Sequence, residues 1–216
     1  MSSPGFEEPS RQERAIGRRA AEARATVPDL ELSREVDMSG RMQRTGGPPT
    51  ALLVASCARA LRDIPRANSA YRDGRFELHD RVNIAIPIYI DDAYVLATIF
   101  DADARSVEDI GAVVGALRAR GRAGELTPPE LSGSTFVVSD LGGYGVGRAS
   151  AILTPPHAAA LAAGAVRAVP VVRGADIVPG YTMTVTLVSD HRILFGAQAA
   201  RFLSRVTELL EEAARG

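Results

Sequence analysis

The chain has 216 residues, 46% of them hydrophobic and 24% charged, with a formal net charge of −1 and an isoelectric point near 6.3. This composition is that of a soluble globular domain with a sizeable core, and it carries no electrostatic footprint for nucleic acid or an anionic membrane surface. Cys57 is the only cysteine, which excludes an intramolecular disulfide and cysteine-based structural zinc, and no run of 18 apolar residues offers a membrane span.

All 25 basic residues are arginine. Lipoylation, biotinylation, Schiff-base chemistry and P-loop phosphate binding each need a lysine amine, so none can take place on this chain. Glu7, Glu8 and Glu13 lie among the arginines of the N-terminal stretch, which lacks the apolar core of a signal peptide. The cytoplasm is the expected compartment.

In chain order, residues 1–10 are polar and proline-containing and are expected to be flexible, leaving 11–216 as one domain. Gln12 to Thr26 reads as a helix with Ile16, Ala20 and Ala23 at helical spacing, stopped by Pro28. Leu30 to Met38 alternates apolar and polar residues, as a half-buried strand does. Gly40 to Thr50 reads as a loop and Ala51 to Asp63 as an apolar helix ended by Pro65. Arg75 to His79 predicts a short strand, and Val82–Ile90 with Ala93–Phe100 a hairpin turning at Asp91-Asp92. Ser106 to Arg122 predicts a helix capped by Ser106, with Glu108 and Asp109 placed well for its dipole.

Ser134 to Ser139 then predicts a strand, followed by a glycine-rich turn over Asp140–Gly147. That turn contains no G-K-[ST] and no G-x-G-x-x-G opening a helix, so Gly142, Gly143, Gly145 and Gly147 read as a tight turn and not as a phosphate loop. Strands over Ala158–Val166 and Tyr181–Val188 and a helix over Ala197–Ala214 complete the domain. Helices and strands intermix without regular alternation, which predicts an α/β fold of the two-layer sandwich type with a mixed sheet.

Between the last strand and the last helix stands Ser189-Asp190-His191-Arg192-Ile193-Leu194-Phe195-Gly196. It resembles the D-H-R-x-x-D-G signature of the dihydrolipoyl acyltransferases, the core enzymes of 2-oxo acid dehydrogenase complexes, and of the related chloramphenicol acetyltransferases. The resemblance runs from about Glu13 to Glu211. Arg14-Ala-Ile-Gly-Arg-Arg19 through Thr26-Val-Pro28 resembles the family's opening helix and T-I-P-H-F turn, and Glu35-Val-Asp-Met38 its E-V-D-M/V strand. Ala58-Arg-Ala-Leu-Arg62 with Pro65 and Asn68 resembles A-L-x-x-x-P-x-x-N, and Ser134-Thr-Phe-Val-Val-Ser-Asp-Leu-Gly142 resembles G-T-F-T-I-S-N-L-G. Ala151-Ile-Leu-Thr-Pro-Pro156 and Gly164-Ala-Val-Arg-Ala-Val-Pro-Val-Val172 resemble A-I-I-N-P-P and G-A-I-R-x-x-P-V-V.

Acyl transfer from a thioester needs a base for the attacking thiol or hydroxyl and a donor for the oxyanion of the tetrahedral intermediate. The resemblance implies a chloramphenicol acetyltransferase-like fold, His191 as the base and Ser139 as the hydroxyl donor. It also implies acetyl-CoA or another acyl-CoA as co-substrate, with no cofactor bound covalently and no metal. The two groups would come from neighbouring subunits of a homotrimer. His79 and His157 have no motif support and read as surface residues or residues behind the site, and Cys57, on an apolar helix face, as a buried inert thiol.

Phe195 stands where the signature has its second aspartate, a carboxylate implied to pair with an arginine that Arg19 matches. Asp29 stands where the family has histidine, and Asp92-Ala-Tyr-Val-Leu-Ala-Thr98 replaces D-G-L-I-V-P-V, which points to an altered acceptor site. A short N-terminal stretch and a C-terminus without a hydrophobic tail lead to the expectation of a free-standing trimer. The leading expectation is a stand-alone acyltransferase moving a short acyl group from CoA to a small-molecule hydroxyl, or to a thiol or carrier-bound substrate. A secondary-metabolite alcohol such as a tetronate in antibiotic biosynthesis is one example. The alternatives are a non-catalytic binding or assembly subunit, and a core subunit of a 2-oxo acid dehydrogenase complex served by another chain's lipoyl arm.

Overall fold

The computed structural model describes residues 5–44, 48–90 and 93–215. Its elements are helix α1 (Arg11–Thr26), strand β1 (Asp29–Asp37), helices α2 (Ser39–Arg44) and α3 (Thr50–Asp63), and strands β2 (Ser69–Arg72), β3 (Arg75–Leu78), β4 (Ile84–Ile90) and β5 (Ala93–Ile99). Helix α4 (Val107–Arg122), strands β6 (Phe136–Asp140), β7 (Ala159–Ala163), β8 (Arg167–Arg173) and β9 (Asp176–Asp190), and helix α5 (Gly196–Arg215) follow. The main sheet has seven strands in the order β1-β9-β7-β6-β4-β5, with β8 paired to the first half of β9. It is mixed: β6 runs parallel to β4 and β7, and the remaining pairs are antiparallel.

Because side chains alternate across a strand, each strand divides its residues between two faces. Ile84, Ile86 and Ile88 on β4, Phe136 and Val138 on β6, and Met183, Val185 and Leu187 on β9 point to one face and are buried there. Helices α3, α4 and α5 cover that face. Helix α5 contributes Ala199, Phe202, Leu203, Val206 and Leu210 at helical spacing, and the Phe202 ring meets Phe136 with centroids 5.7 Å apart. Burial of these side chains is the main stabilising term, each contributing about 1.5–3 kcal/mol.

The opposite face is only partly covered. Val137, Ala160 and Val188 form a small second cluster there with Val27 and Leu153. Helix α1 lies on this side and buries a single residue, Ala23, while Gln12 Nε2 near its start donates to the Tyr94 carbonyl of β5 (3.1 Å). Ser10 caps α1 reciprocally with Glu13.

Four elements depart from the sequence expectation, one of them β9, which starts at Asp176 and not at Tyr181. The stretch read as a loop from Gly40 starts as helix α2, because the Asp37 carboxylate accepts the Ser39 amide (3.0 Å) and the Met38 carbonyl accepts that of Met42 (3.1 Å). Residues 45–47, and the expected turn at 91–92, lie outside the described residues. Strand β2 was not expected; it pairs with β3 through a two-residue turn in which Asp73 and Gly74 both have positive φ, +48° and +76°. The strand expected over Ala158–Val166 stops at Ala163, and the chain restarts as β8 after a close crossing of two backbones.

That crossing explains Gly164. A Cβ there would stand 2.3 Å from the Gly147 carbonyl oxygen, a backbone atom that cannot swing aside. The Ala165 amide donates to the Val146 carbonyl (2.7 Å) and the Gly164 amide to Thr184 (3.0 Å), so the two segments are tied where they touch. Gly164→Ala is therefore expected to destabilise the protein by about 1–3 kcal/mol, the usual cost of overpacking. Urea unfolding checks this, with Gly143→Ala, where the added methyl meets open space, as the control expected to stay close to the parent.

Candidate active site

His191 sits one residue beyond the end of β9, with its side chain exposed to solvent and its backbone fixed. The Asp190 amide donates to the Ala158 carbonyl just ahead of β7 (2.9 Å), and the His191 amide donates to the Pro28 carbonyl (2.8 Å). The Asp190 carbonyl then accepts the amides of Ile193 and Leu194 (both 2.9 Å), which turns the chain sharply into α5.

The Asp190 side chain, nearly sealed from solvent, grips Arg192 through the backbone amide (2.9 Å), Nε (2.9 Å) and Nη2 (2.6 Å). The guanidinium lies over the Tyr71 ring, 4.7 Å from its centroid, which ties the β2–β3 hairpin to the turn. Arg66, stacked on Phe76, adds a bond from Nε to the Ile193 carbonyl (3.3 Å). Asp190 and Arg192 thus hold the turn that carries His191, and neither is free to act as an acid or base.

Phe195 is 54% exposed and presents its ring edge-on to His191, with centroids 5.8 Å apart. Its backbone opens α5: the carbonyl accepts the Gln198 and Ala199 amides, and its own amide donates to Gln198 Oε1 (3.2 Å). An aromatic wall therefore replaces the carboxylate of the signature. Arg19 is not braced by any acid in its place: it is exposed on α1 and makes no ion pair among the described residues. Asp29 is held instead by Arg24 (2.5 Å).

Ser139 is half-buried on β6, on the sheet face away from the helices, beside Tyr89 of β4. Burial pushes the Tyr89 phenol above its ordinary range, and a hydrogen bond with the Ser139 hydroxyl partly offsets this. Tyr144 packs edge-on against Tyr89 with centroids 5.6 Å apart. Next in the chain, Asp140 accepts the Thr50 hydroxyl (2.6 Å), which in turn accepts Arg118 Nη2 (3.2 Å). A recess of about 260 Å³ opens here, with Arg118 and Arg122 as its cations.

One chain does not bring His191 and Ser139 together. Ser139 is level with Ala162 on β7 and, through it, with Thr186 on β9, five residues short of His191. Two inter-strand spacings and five residues of rise separate them by about 20 Å.

A larger cleft of about 670 Å³ lies between α1, β5 and the segments around Ser134 and Thr154. His157, expected at the surface or behind the site, is half-buried in its wall. Its Nδ1 meets the Thr154 carbonyl (2.9 Å) and its Nε2 the Ser134 hydroxyl (3.0 Å) and carbonyl (3.2 Å). Neither the Ser134–His157 pair nor the place of Arg19 in this cleft had a local signal in the sequence. Cys57 is fully buried, and burial pushes its thiol far up, as expected of an inert side chain. Among the described residues no cluster of His, Cys, Asp and Glu fits a metal ion, and no helix is long and apolar enough to cross a membrane.

The sequence matches the family described as 2-oxoacid dehydrogenases acyltransferase (catalytic domain) over residues 7–215. The chain belongs to this family. Among curated relatives, the dihydrolipoyllysine-residue acetyltransferase component of the pyruvate dehydrogenase complex of Rickettsia bellii is 28% identical over 212 residues, covering 92% of this chain and 51% of that protein. The chain thus spans about half the length of the curated relatives it matches.

Among solved structures, a probable dihydrolipoamide acetyltransferase from Listeria monocytogenes superposes with a TM-score of 0.90 at 26% identity, covering 97% of this chain and 95% of that one. The dihydrolipoamide acetyltransferase of Azotobacter vinelandii gives 0.89 at 23%, covering 97% and 93%. Chloramphenicol acetyltransferase shares the fold more distantly, with a TM-score of 0.51 at 15% identity and coverage of 94% and 95%. The two-layer, mixed-sheet architecture is therefore that of the acyltransferase family.

Burial pushes the His157 imidazole below its ordinary value, partly offset by the carbonyls of Thr154 and Ser134. A histidine whose pKa is lower folded than unfolded gives stability that is complete above the unfolded pKa, about 6.5, and is lost as pH falls below it. The melting temperature is accordingly expected to fall more steeply between pH 7.5 and 5 in the parent than in His157→Gln. Parallel slopes in differential scanning fluorimetry would refute this.

Proposed function

We propose that this domain transfers an acyl group between coenzyme A and an acceptor thiol, with His191 as general base and Ser139 as oxyanion donor. The observation that carries the reading is the solvent-facing imidazole of His191 on a turn fixed at Pro28, Asp190 and Arg192, within a chain of the acyltransferase family. Work on the Azotobacter vinelandii enzyme addressed the role of a serine, a histidine and an asparagine in its catalytic mechanism. The interval from that serine to that histidine equals the interval from Ser139 to His191, and the asparagine follows its histidine by the same step that leads here to Phe195.

In the forward step, His191 takes the proton of the attacking thiol, and the thiolate forms a carbon–sulfur bond to the thioester carbonyl. The carbonyl oxygen becomes an oxyanion that accepts the Ser139 hydroxyl hydrogen bond. Collapse of the intermediate breaks the carbon–sulfur bond to the outgoing thiol, which receives the proton from His191. The separation of about 20 Å within one chain supports a site shared between copies in a symmetric oligomer, for which the homotrimer is the reading.

The relatives are named as components of the pyruvate dehydrogenase complex. The acceptor we favour is therefore a dihydrolipoyl group, ahead of the secondary-metabolite alcohol, which none of the relatives named above supports. Without a lysine, these 216 residues cannot carry that lipoyl group themselves. A second reading, a small-molecule acceptor, is favoured by Phe195, whose ring narrows the approach to His191 on a side where the signature places a carboxylate.

The test is CoA release from acetyl-CoA with dihydrolipoamide. His191→Ala is expected to lower the rate by about 10²–10⁴-fold, and Ser139→Ala by about 10²–10³-fold. Co-refolding the two variants in equal amounts is expected to recover roughly a quarter of the parent activity, since intact pairs re-form only across unlike neighbours. Full activity in His191→Ala would sink the mechanism, and no recovery on mixing would sink the shared site.

A further inference from the structure

The 670 Å³ cleft between α1 and β5 lies within the usual size range for a small-molecule site, about 300–1,000 Å³. Its charge is one-sided. Arg19 projects into it without an ion pair among the described residues, and no carboxylate lines it. The other polar groups are largely committed: Ser134 and His157 bond each other, and the Gln12 amide nitrogen is taken by Tyr94. The remaining wall, including Ile16, Leu96, Leu131 and Ile152, is apolar. One unspent guanidinium over an apolar floor matches a molecule with an anionic head and a short hydrocarbon body. A planar fork of donors fits a carboxylate best.

The cleft also has a defined relation to Ser139. Leu96 pairs with Pro87 across β5 and β4, and β4 is the neighbour of β6. Leu96 and Ser139 therefore stand two strands apart, about 10 Å, on the same sheet face. The Leu96 wall of the cleft thus lies on the same side of the sheet as Ser139.

We propose that this cleft is the acceptor chamber of the transfer site and that it selects an acceptor carrying a free carboxylate, with Arg19 as the anchor. The inference rests on acyl transfer at His191 and Ser139 and develops its small-molecule reading. An amide-linked lipoyl arm offers Arg19 no charge, whereas the free acid does.

Lipoate and lipoamide differ only in that group, and they are the probes. Calorimetric titration of the 216-residue protein at pH 7.5 is expected to show lipoate binding about 10-fold or more tightly than lipoamide, the usual value of a charged hydrogen bond. Arg19→Met, a change on an exposed helix surface, is expected to bring the two ligands within about two-fold, and Arg19→Lys to restore part of the preference. Equal binding in the parent, undetectable lipoate binding, or a preference that survives Arg19→Met overturns the proposal. Turnover is read separately, with acetyl-CoA and the two reduced probes. Transfer to both without preference leaves acyl transfer standing and overturns the carboxylate chamber. Selective lipoate binding with no transfer to either probe leaves the carboxylate pocket and removes acyl transfer.

Discussion

Strand β9 determines where His191 sits. It is 15 residues long, and along its length it pairs with β8, then with β1 on one side and β7 on the other. Its last amides are used by Ala158 and Pro28, so the strand cannot slide or fray where it ends. A one-residue slip would move every side chain to the other face, exposing Met183, Val185 and Leu187 and burying threonines. The register that secures the core therefore also fixes where His191 emerges.

The two faces of the sheet have different tasks. The helical face carries the large apolar side chains and supplies most of the stability. The other face presents Ser33, Thr184, Thr186 and Ser139 beside small residues such as Ala160 and Ala162, with α1 lying lightly across part of it. Such a face gains little from burial within one chain and leaves hydroxyls available. It holds Ser139 at one end, while His191 emerges at the other end of the sheet, too far apart for a single proton-transfer step. Chemistry that used both groups would therefore need a second copy of the chain.

Most of the fold was legible because periodicity reports burial. The helices α3, α4 and α5 and the alternating strands β1, β4 and β5 were readable within a residue or two. The misses share a cause: they are set by contacts distant in sequence. Strand β8 and the end of β7 are decided by the crossing of Gly147 and Gly164, and α2 by the Asp37 side chain. Ordered motif blocks pointed to His191 and Ser139, but the distance between them follows from the strand order. His157 belongs to no motif, and the cleft it shares with Arg19 is framed by α1, whose Gln12 reaches across to Tyr94.

Phe195 illustrates how a departure from a signature is best weighed. A carboxylate at that position would act on the orientation of the turn or on a neighbouring arginine, not as the base. Here the turn is already held by four backbone hydrogen bonds, by the grip of Asp190 on Arg192 and by the stacking of Arg192 on Tyr71. Hydrogen bonds to charged groups contribute about 1.5–3 kcal/mol each, and the cation–ring contact about 0.5–1 kcal/mol, so the orientation of His191 does not hang on one side chain. The consequence of the substitution falls elsewhere. Phe195 puts an aromatic edge beside His191 where the signature has a carboxylate, which lowers the polarity next to the imidazole. The brace is redundant, so Phe195 bears on the surroundings of His191 far more than on its orientation.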